Sequence, residues 1–147
     1  MEIYRTPNSA FSESELAKIK LYKVSGIGCA TYVGSIPAGG LLLYLNYRKL
    51  GLEKNAKQCL LISAIASILF FSALLYVYNY LNFPIISLVV ASAFVVAHIA
   101  GMCQGKLQNA HFRKGGGAAS DWKAFGMGLL VSFPLMLFFI ALSSFGS

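Results

Sequence analysis

Apolar residues along this chain come in long unbroken runs, not in the alternation of a half-buried strand or the spaced stripe of a surface helix. No Asp, Glu, Lys or Arg lies between Lys23 and Arg48, between Lys57 and Lys106, or after Lys123. A bilayer core about 30 Å thick takes about 20 helical residues. The three gaps predict four apolar segments of spanning length, at about 24–47, 59–80, 84–105 and 124–145, and hence an all-α integral membrane fold, a small helical bundle. Residues 1–23 are expected to form an N-terminal tail and amphipathic juxtamembrane helix, and residues 24–147 a single transmembrane domain.

The segments are not equivalent. Val24 to Tyr47 carries Gly26, Gly28, Gly34, Gly39, Gly40 and Pro37. Proline removes a backbone hydrogen bond, so a break is expected near Ser35 to Gly40, as a kinked span or as a re-entrant hairpin. The second and third segments read as a hairpin about the turn from Asn79 to Phe83, with Tyr76, Tyr78 and Tyr80 in an aromatic belt. The fourth begins with Trp122 at the interface and Ser120 as N-cap, and Pro134 should kink it. Before the first segment, Ser12 and Glu15 form a capping box with Phe11 and Leu16 as a hydrophobic staple. The helix predicted from there places Leu16, Ile19 and Lys23 on one face. The first 23 residues lack the apolar core of a cleavable signal peptide.

Composition agrees with the pattern. The chain of 147 residues is 57% hydrophobic and 12% charged, about half the charge of a soluble domain. Its mean hydropathy is +0.67. A net charge of +7 could suggest nucleic acid, but the basic residues flank the apolar runs and no base-reading motif accompanies them. Lys18, Lys20, Lys23, Arg48, Lys49, Arg113, Lys114 and Trp122 are expected to contact lipid headgroups. By the positive-inside rule, the loops 48–57 and 106–123 are cytoplasmic and the C-terminus lies outside. Four simple spans would export Arg5, Lys18, Lys20 and Lys23. A re-entrant first segment would bring all the basic residues to the cytoplasm.

Candidate chemistry is sparse. Ala93, Ala97, Gly101 and Gly105 form a ridge of small side chains, and Gly34, Pro37, Gly39 and Gly40 mark the broken segment; both are candidates for helix packing or for a partner. Ala30, Gly34 and Ala38 offer a small surface, as do Ser63 and Ser67. His98 is the one titratable candidate among His, Asp, Glu, Lys and Arg inside the segments, either bonded to a neighbouring helix or serving a ligand or proton. The acids Glu2, Glu13, Glu15, Glu53 and Asp121 all lie outside them, which argues against carboxylate-coupled transport. Cys29, Cys59 and Cys103 read as packed thiols. Gly115 to Gly117 reads as a flexible lead into the last helix, without the order of a phosphate loop. No metal site and no cofactor are expected. No nucleophile, base and orienting group occur together, so the chain is not expected to be an enzyme.

The run Ala30-Thr31-Tyr32-Val33-Gly34-Ser35-Ile36-Pro37-Ala38-Gly39-Gly40, then Asn46-Tyr47 and Leu50-Gly51, resembles a family of small bacterial inner-membrane proteins with an ATFLGGPLAGG…NY…LG pattern. Their later His, Gly-Gly and Ser-Trp-Trp element is similar to His111, Gly115-Gly116-Gly117 and Ser120-Asp121-Trp122, with Asp121 where an aromatic residue is usual. Ile36 interrupts the usual pairing before the proline. The resemblance implies location and not mechanism. Size, short loops and missing chemistry together favour a non-catalytic protein that binds another membrane component. Immunity to a membrane-inserting bacterial toxin is the leading expectation, by analogy of form. The partners expected are the lipid bilayer, such a toxin or another membrane protein, or further copies of this chain. A small oligomeric channel or transporter is the alternative.

Overall fold

A computed structural model describes residues 18–80 and 84–145. The capping box at Ser12 and Glu15 and the turn residues 81–83 lie outside the described residues. Four long helices occur among those described: α1 (Val24–Lys49), α2 (Glu53–Tyr80), α3 (Ile85–Arg113) and α4 (Asp121–Phe145). Two short strands, β1 (Lys20–Leu21) before α1 and β2 (Gly117–Ala118) before α4, pair in parallel. The helices run beyond the expected segments at their polar ends. α2 begins six residues earlier than Cys59 and α3 continues eight beyond Gly105, because nothing in the flanking loops stops either helix.

The juxtamembrane helix expected to extend to Lys23 does not do so. From Ile19 the chain is extended, and Lys20 and Leu21 pair with Gly117 and Ala118. A tertiary contact thus overrides the local pattern.

α1 is a hairpin. Its helical geometry fails at one residue, Ser35, with φ 61° and ψ −170°. Two half-helices result, α1a (24–34) and α1b (36–49). A straight helix would hold Tyr22 and Asn46 about 36 Å apart, whereas their backbone and side chain bond at 2.8 Å. Lys49 Nζ reaches the Lys20 carbonyl at 2.7 Å. At 1.5 Å per residue the halves are about 16 and 21 Å long, so neither crosses about 30 Å of hydrocarbon alone. Pro37 does not interrupt a helix. It lies in the first turn of α1b, where its missing N–H has no intrahelical acceptor anyway. Gly39 and Gly40, inside the stretch where the break was expected, are likewise helical, and both are buried.

The hairpin is the core. Ile27, Ala30, Ala38, Leu42 and Leu43 come from it, joined by Val96 and Ala100 of α3 and Ala124 of α4. α2, α3 and α4 all pack on α1 and scarcely on one another. Helices in lipid gain no hydrophobic drive from association and depend on close van der Waals approach. Glycines permit that approach. A Cβ on Gly34 would lie 2.5 Å from the Gly128 carbonyl oxygen of α4, and one on Gly40 would overlap Ser63 of α2. Gly39 faces Thr31 across the hairpin. The Thr31 hydroxyl donates to the Ile27 carbonyl at 2.8 Å and so leaves no unpaired polar group at this contact.

α1b ends where Gly51, at φ 74°, takes the left-handed position of a Schellman cap. Gly51 N–H bonds Arg48 O and Leu52 N–H bonds Tyr47 O, which turns the chain directly into α2. By length and composition α1, α2 and α3 each suffice to cross a membrane. Only 6% of the apolar window of α2 is buried inside the chain, against 56% for α1. α2 is therefore an outer helix, and α1 is folded inside the others.

Candidate functional site

The buried amide and imidazole side chains collect at one end of the bundle, beneath the extended strap 19–23. Gln104, Gln108 and His111 stand at i, i+4 and i+7 on one face of α3. Opposite them is Asn46 of α1b. Asn46, Gln104 and His111 are fully buried and Gln108 is 4% exposed. Such burial is unfavourable unless hydrogen bonds are made, and here nearly all are.

Asn46 closes the hairpin. Its Oδ1 accepts from Tyr22 N–H at 2.8 Å while its Nδ2 donates to the Tyr22 carbonyl at 2.8 Å, so one carboxamide holds the strap's peptide as a neighbouring strand would. Nδ2 also donates to Gln104 Oε1 at 3.0 Å. Gln104 Nε2 in turn donates to the Leu43 carbonyl at 2.9 Å, and Gln108 Nε2 to the Tyr22 carbonyl at 3.0 Å. His111 Nε2 donates to the Ile19 carbonyl at 2.9 Å. Its Nδ1 is buried without a partner. Gly116 lies against the His111 ring, where any side chain would collide, and its N–H bonds the His111 carbonyl at 2.9 Å. The expectation of a flexible glycine lead is thus corrected: Gly115 to Gly117 form a fitted turn that seats the imidazole and enters β2.

This constellation binds backbone. It contains amides and one imidazole, with no carboxylate or thiol in the network, and its donors are used on carbonyls of the same chain. Among the described residues no three His, Cys, Asp or Glu side chains come together as metal ligands.

The expected site residues separate into several places. Gly34, Gly39 and Gly40 are buried in contacts within the chain, and Pro37 lines a small hollow at the hairpin tip with Pro134. The ridge on α3 divides: Ala93 is buried and Ala97 meets Gly28 of α1a, while Gly101 and Gly105 have open space where a Cβ would stand. Ser63 meets Gly40, and Ala30 meets Gly128. His98 is exposed on the outer face of α3, beside Phe94 and Met102 at 73% and 71% exposure. Tyr76 and Tyr80 are exposed with ring centroids 5.1 Å apart, and Trp122 is 81% exposed. Ser120 Oγ accepts from Trp122 N–H at 3.3 Å, the expected helix cap. Lys18, Lys20, Lys23, Arg48, Lys49, Arg113 and Lys114 are all exposed. The hairpin places the residues beside Tyr22 and those beside Asn46 at one end of the bundle.

The sequence reading missed Gln104 and Gln108 altogether and took Asn46 only as part of a resemblance. A signal was present: amides at 104 and 108 and a histidine at 111 share one face of a helix whose other residues are largely apolar.

The fold and its polar clamp define an all-helical class: three long helices gathered around a two-legged hairpin, with α1, α2 and α3, among the described residues, long and apolar enough to cross a membrane. The chain matches no protein-family model, no curated protein and no solved structure.

Proposed function

We propose that this is a multi-pass protein of a bacterial inner membrane that acts by binding another membrane-inserted component, an immunity protein against a membrane-inserting toxin being the reading favoured. The observation that carries it is the unfinished packing of the bundle. The hairpin ends at Ser35, level with Gly128 of α4 and with Ala66 of α2, which lines one groove with Ile36. Beyond that level α2, α3 and α4 continue without the element on which they pack. Ile68, Leu69 and Tyr76 of α2 stay 59% to 67% exposed. Such faces suit lipid or an apolar helix that inserts beside them.

In this reading the hairpin is re-entrant, and the positive-inside rule sets the strap, the 48–57 loop and the 106–123 loop in the cytoplasm. A membrane-impermeant thiol reagent added to intact cells should leave Lys18→Cys unlabelled in a background with Cys29, Cys59 and Cys103 changed to Ser. Labelling there would overturn the re-entrant topology. For the function itself, co-expression should relieve growth arrest by a toxin encoded beside this chain. Relief should be lost when Ile68 and Leu69 are changed to Ser in a protein that still accumulates. Failure to protect against every neighbouring gene product would refute immunity.

The alternative of an oligomeric channel or transporter is favoured by the broken helix, since interrupted segments line many transport paths. Within one copy α1a and α4 meet backbone to backbone at Gly34 and Gly128, so a path would have to run elsewhere, between copies. Flux through liposomes that changes with His98→Ala would favour this reading, and absence of flux under any gradient would remove it.

A further inference from the structure

The three cysteines depart from the expectation of packed thiols: Cys59 is half-buried, and Cys29 and Cys103 are exposed. Cys29 stands in a groove between α1a, α3 and α4 whose lining holds no second thiol. Cys59 of α2 and Cys103 of α3 instead share a groove of about 260 Å³, backed by Gly40, Leu43 and Tyr47 of α1b.

The contacts of α1b set the two cysteines at one depth. Gly40 abuts Ser63 of α2, and Cys59 stands one turn, about 5.4 Å, from Ser63 towards the loop that joins the two helices. One turn from Gly40 in the same direction along α1b is Leu43. Its carbonyl takes the bond from Gln104 Nε2 at 2.9 Å, and the Tyr47 hydroxyl donates to the Cys103 carbonyl at 3.4 Å. Cys103 is thereby held at the level of Cys59, on the opposite wall. Both side chains belong to the faces that line the groove, Cys59 with Ser63 at i and i+4, and Cys103 with Val96 and Ile99 at i, i−7 and i−4.

Their surroundings select the ligand. The deep part of the groove is apolar, with Ile36, Ala66 and Val96, and its loop end carries Asn55 and Gln58. The lining holds no carboxylate and no imidazole, so nothing in it serves a hard cation. Thiolates favour Cu(I), zinc and iron–sulfur clusters. Zinc takes at least three protein ligands and a cluster four, whereas two opposed thiolates complete the shell of Cu(I). The polar mouth gives the ion a path from water.

We propose that Cys59 and Cys103 form a two-thiolate site for one Cu(I) ion. On binding, each thiol loses its proton, two S–Cu bonds form and two protons pass to water; copper stays monovalent and no electron moves. The site is independent of the immunity reading.

The full chain, purified in mild detergent and reduced under anaerobic conditions, would be titrated with Cu(I) against a coloured Cu(I) chelator. Wild type and Cys29→Ser should each withdraw one copper per chain, with two protons released and a sulfur-to-copper absorption band in the ultraviolet. Cys59→Ser and Cys103→Ser should each lose more than about a hundredfold in affinity, since disturbing even an outer-shell group costs about 10–100-fold. Zn(II) in excess should not displace the copper. A second measurement needs no variant: copper should protect Cys59 and Cys103 of the wild type from alkylation, read peptide by peptide, and leave Cys29 reactive. The site is overturned if reduced wild type withdraws no copper, if uptake survives loss of either cysteine or depends equally on Cys29, if zinc displaces the ion, or if Cys59 and Cys103 are alkylated as fast with copper as without it.

Discussion

Asn46→Ala tests whether the amide clamp holds the hairpin closed. The substitution deletes three hydrogen bonds of 2.8, 2.8 and 3.0 Å. The consequences for the partners differ. The Tyr22 carbonyl keeps Gln108 Nε2 at 3.0 Å, and Gln104 Oε1 keeps only the weak 3.5 Å contact from Gln108. The Tyr22 N–H is left with no acceptor. A buried donor or acceptor left unpaired costs about 1–3 kcal/mol. One full loss at Tyr22 and a partial one at Gln104, with a small void, total about 2–5 kcal/mol, in the upper part of the usual range for a point substitution or beyond it. Unfolding in mixed micelles of mild and denaturing detergent measures the total. Trypsin cleavage after Lys20 and Lys23 measures the local part, because a released strap exposes those bonds. Asn46→Asp sharpens the test: it retains an acceptor for Tyr22 N–H but turns a carboxylate towards the Tyr22 carbonyl and Gln104 Oε1, so it should be no better than alanine. A stability within about 0.5 kcal/mol of wild type, with unchanged cleavage, would refute the clamp.

Other outcomes follow from the same geometry. Ser35 pays for its positive φ with backbone strain of about 1–3 kcal/mol, so Ser35→Gly should stabilise the protein by up to about 1 kcal/mol and Ser35→Val should destabilise it, in the same micelle titration. Gly34→Ala should cost about 1–3 kcal/mol through collision with the Gly128 backbone. Gly105→Ala, with nothing within 4 Å, should be neutral or stabilising by up to about 1 kcal/mol; equal effects at the two positions would contradict the packing described. Gly116→Ala should displace the His111 ring and cost about 1–3 kcal/mol, with increased trypsin cleavage of the strap as its local signature.

The charge-free runs alone determined that the chain is helical and apolar, and roughly where each helix lies, because a stretch of twenty or more uncharged residues has few other uses. They also located the fault in the first segment to within a few residues. Composition could not say whether that fault bends or reverses the chain, since both outcomes bury the same residues. The reversal is decided by partners far away in sequence: Asn46 meeting Tyr22, Gly34 meeting Gly128, and Gly40 meeting Ser63. Once it is made, Pro37 changes from a helix breaker into a first-turn residue. Ile19 to Lys23 likewise become a strap, because the backbone bonds they find on α3 and β2 outweigh a weak helical preference. The amide clamp was half visible, as Gln104, Gln108 and His111 on one helical face, but the carbonyls they serve belong to other elements. Local pattern fixes which face of a helix is unusual, and only tertiary structure supplies what that face must touch.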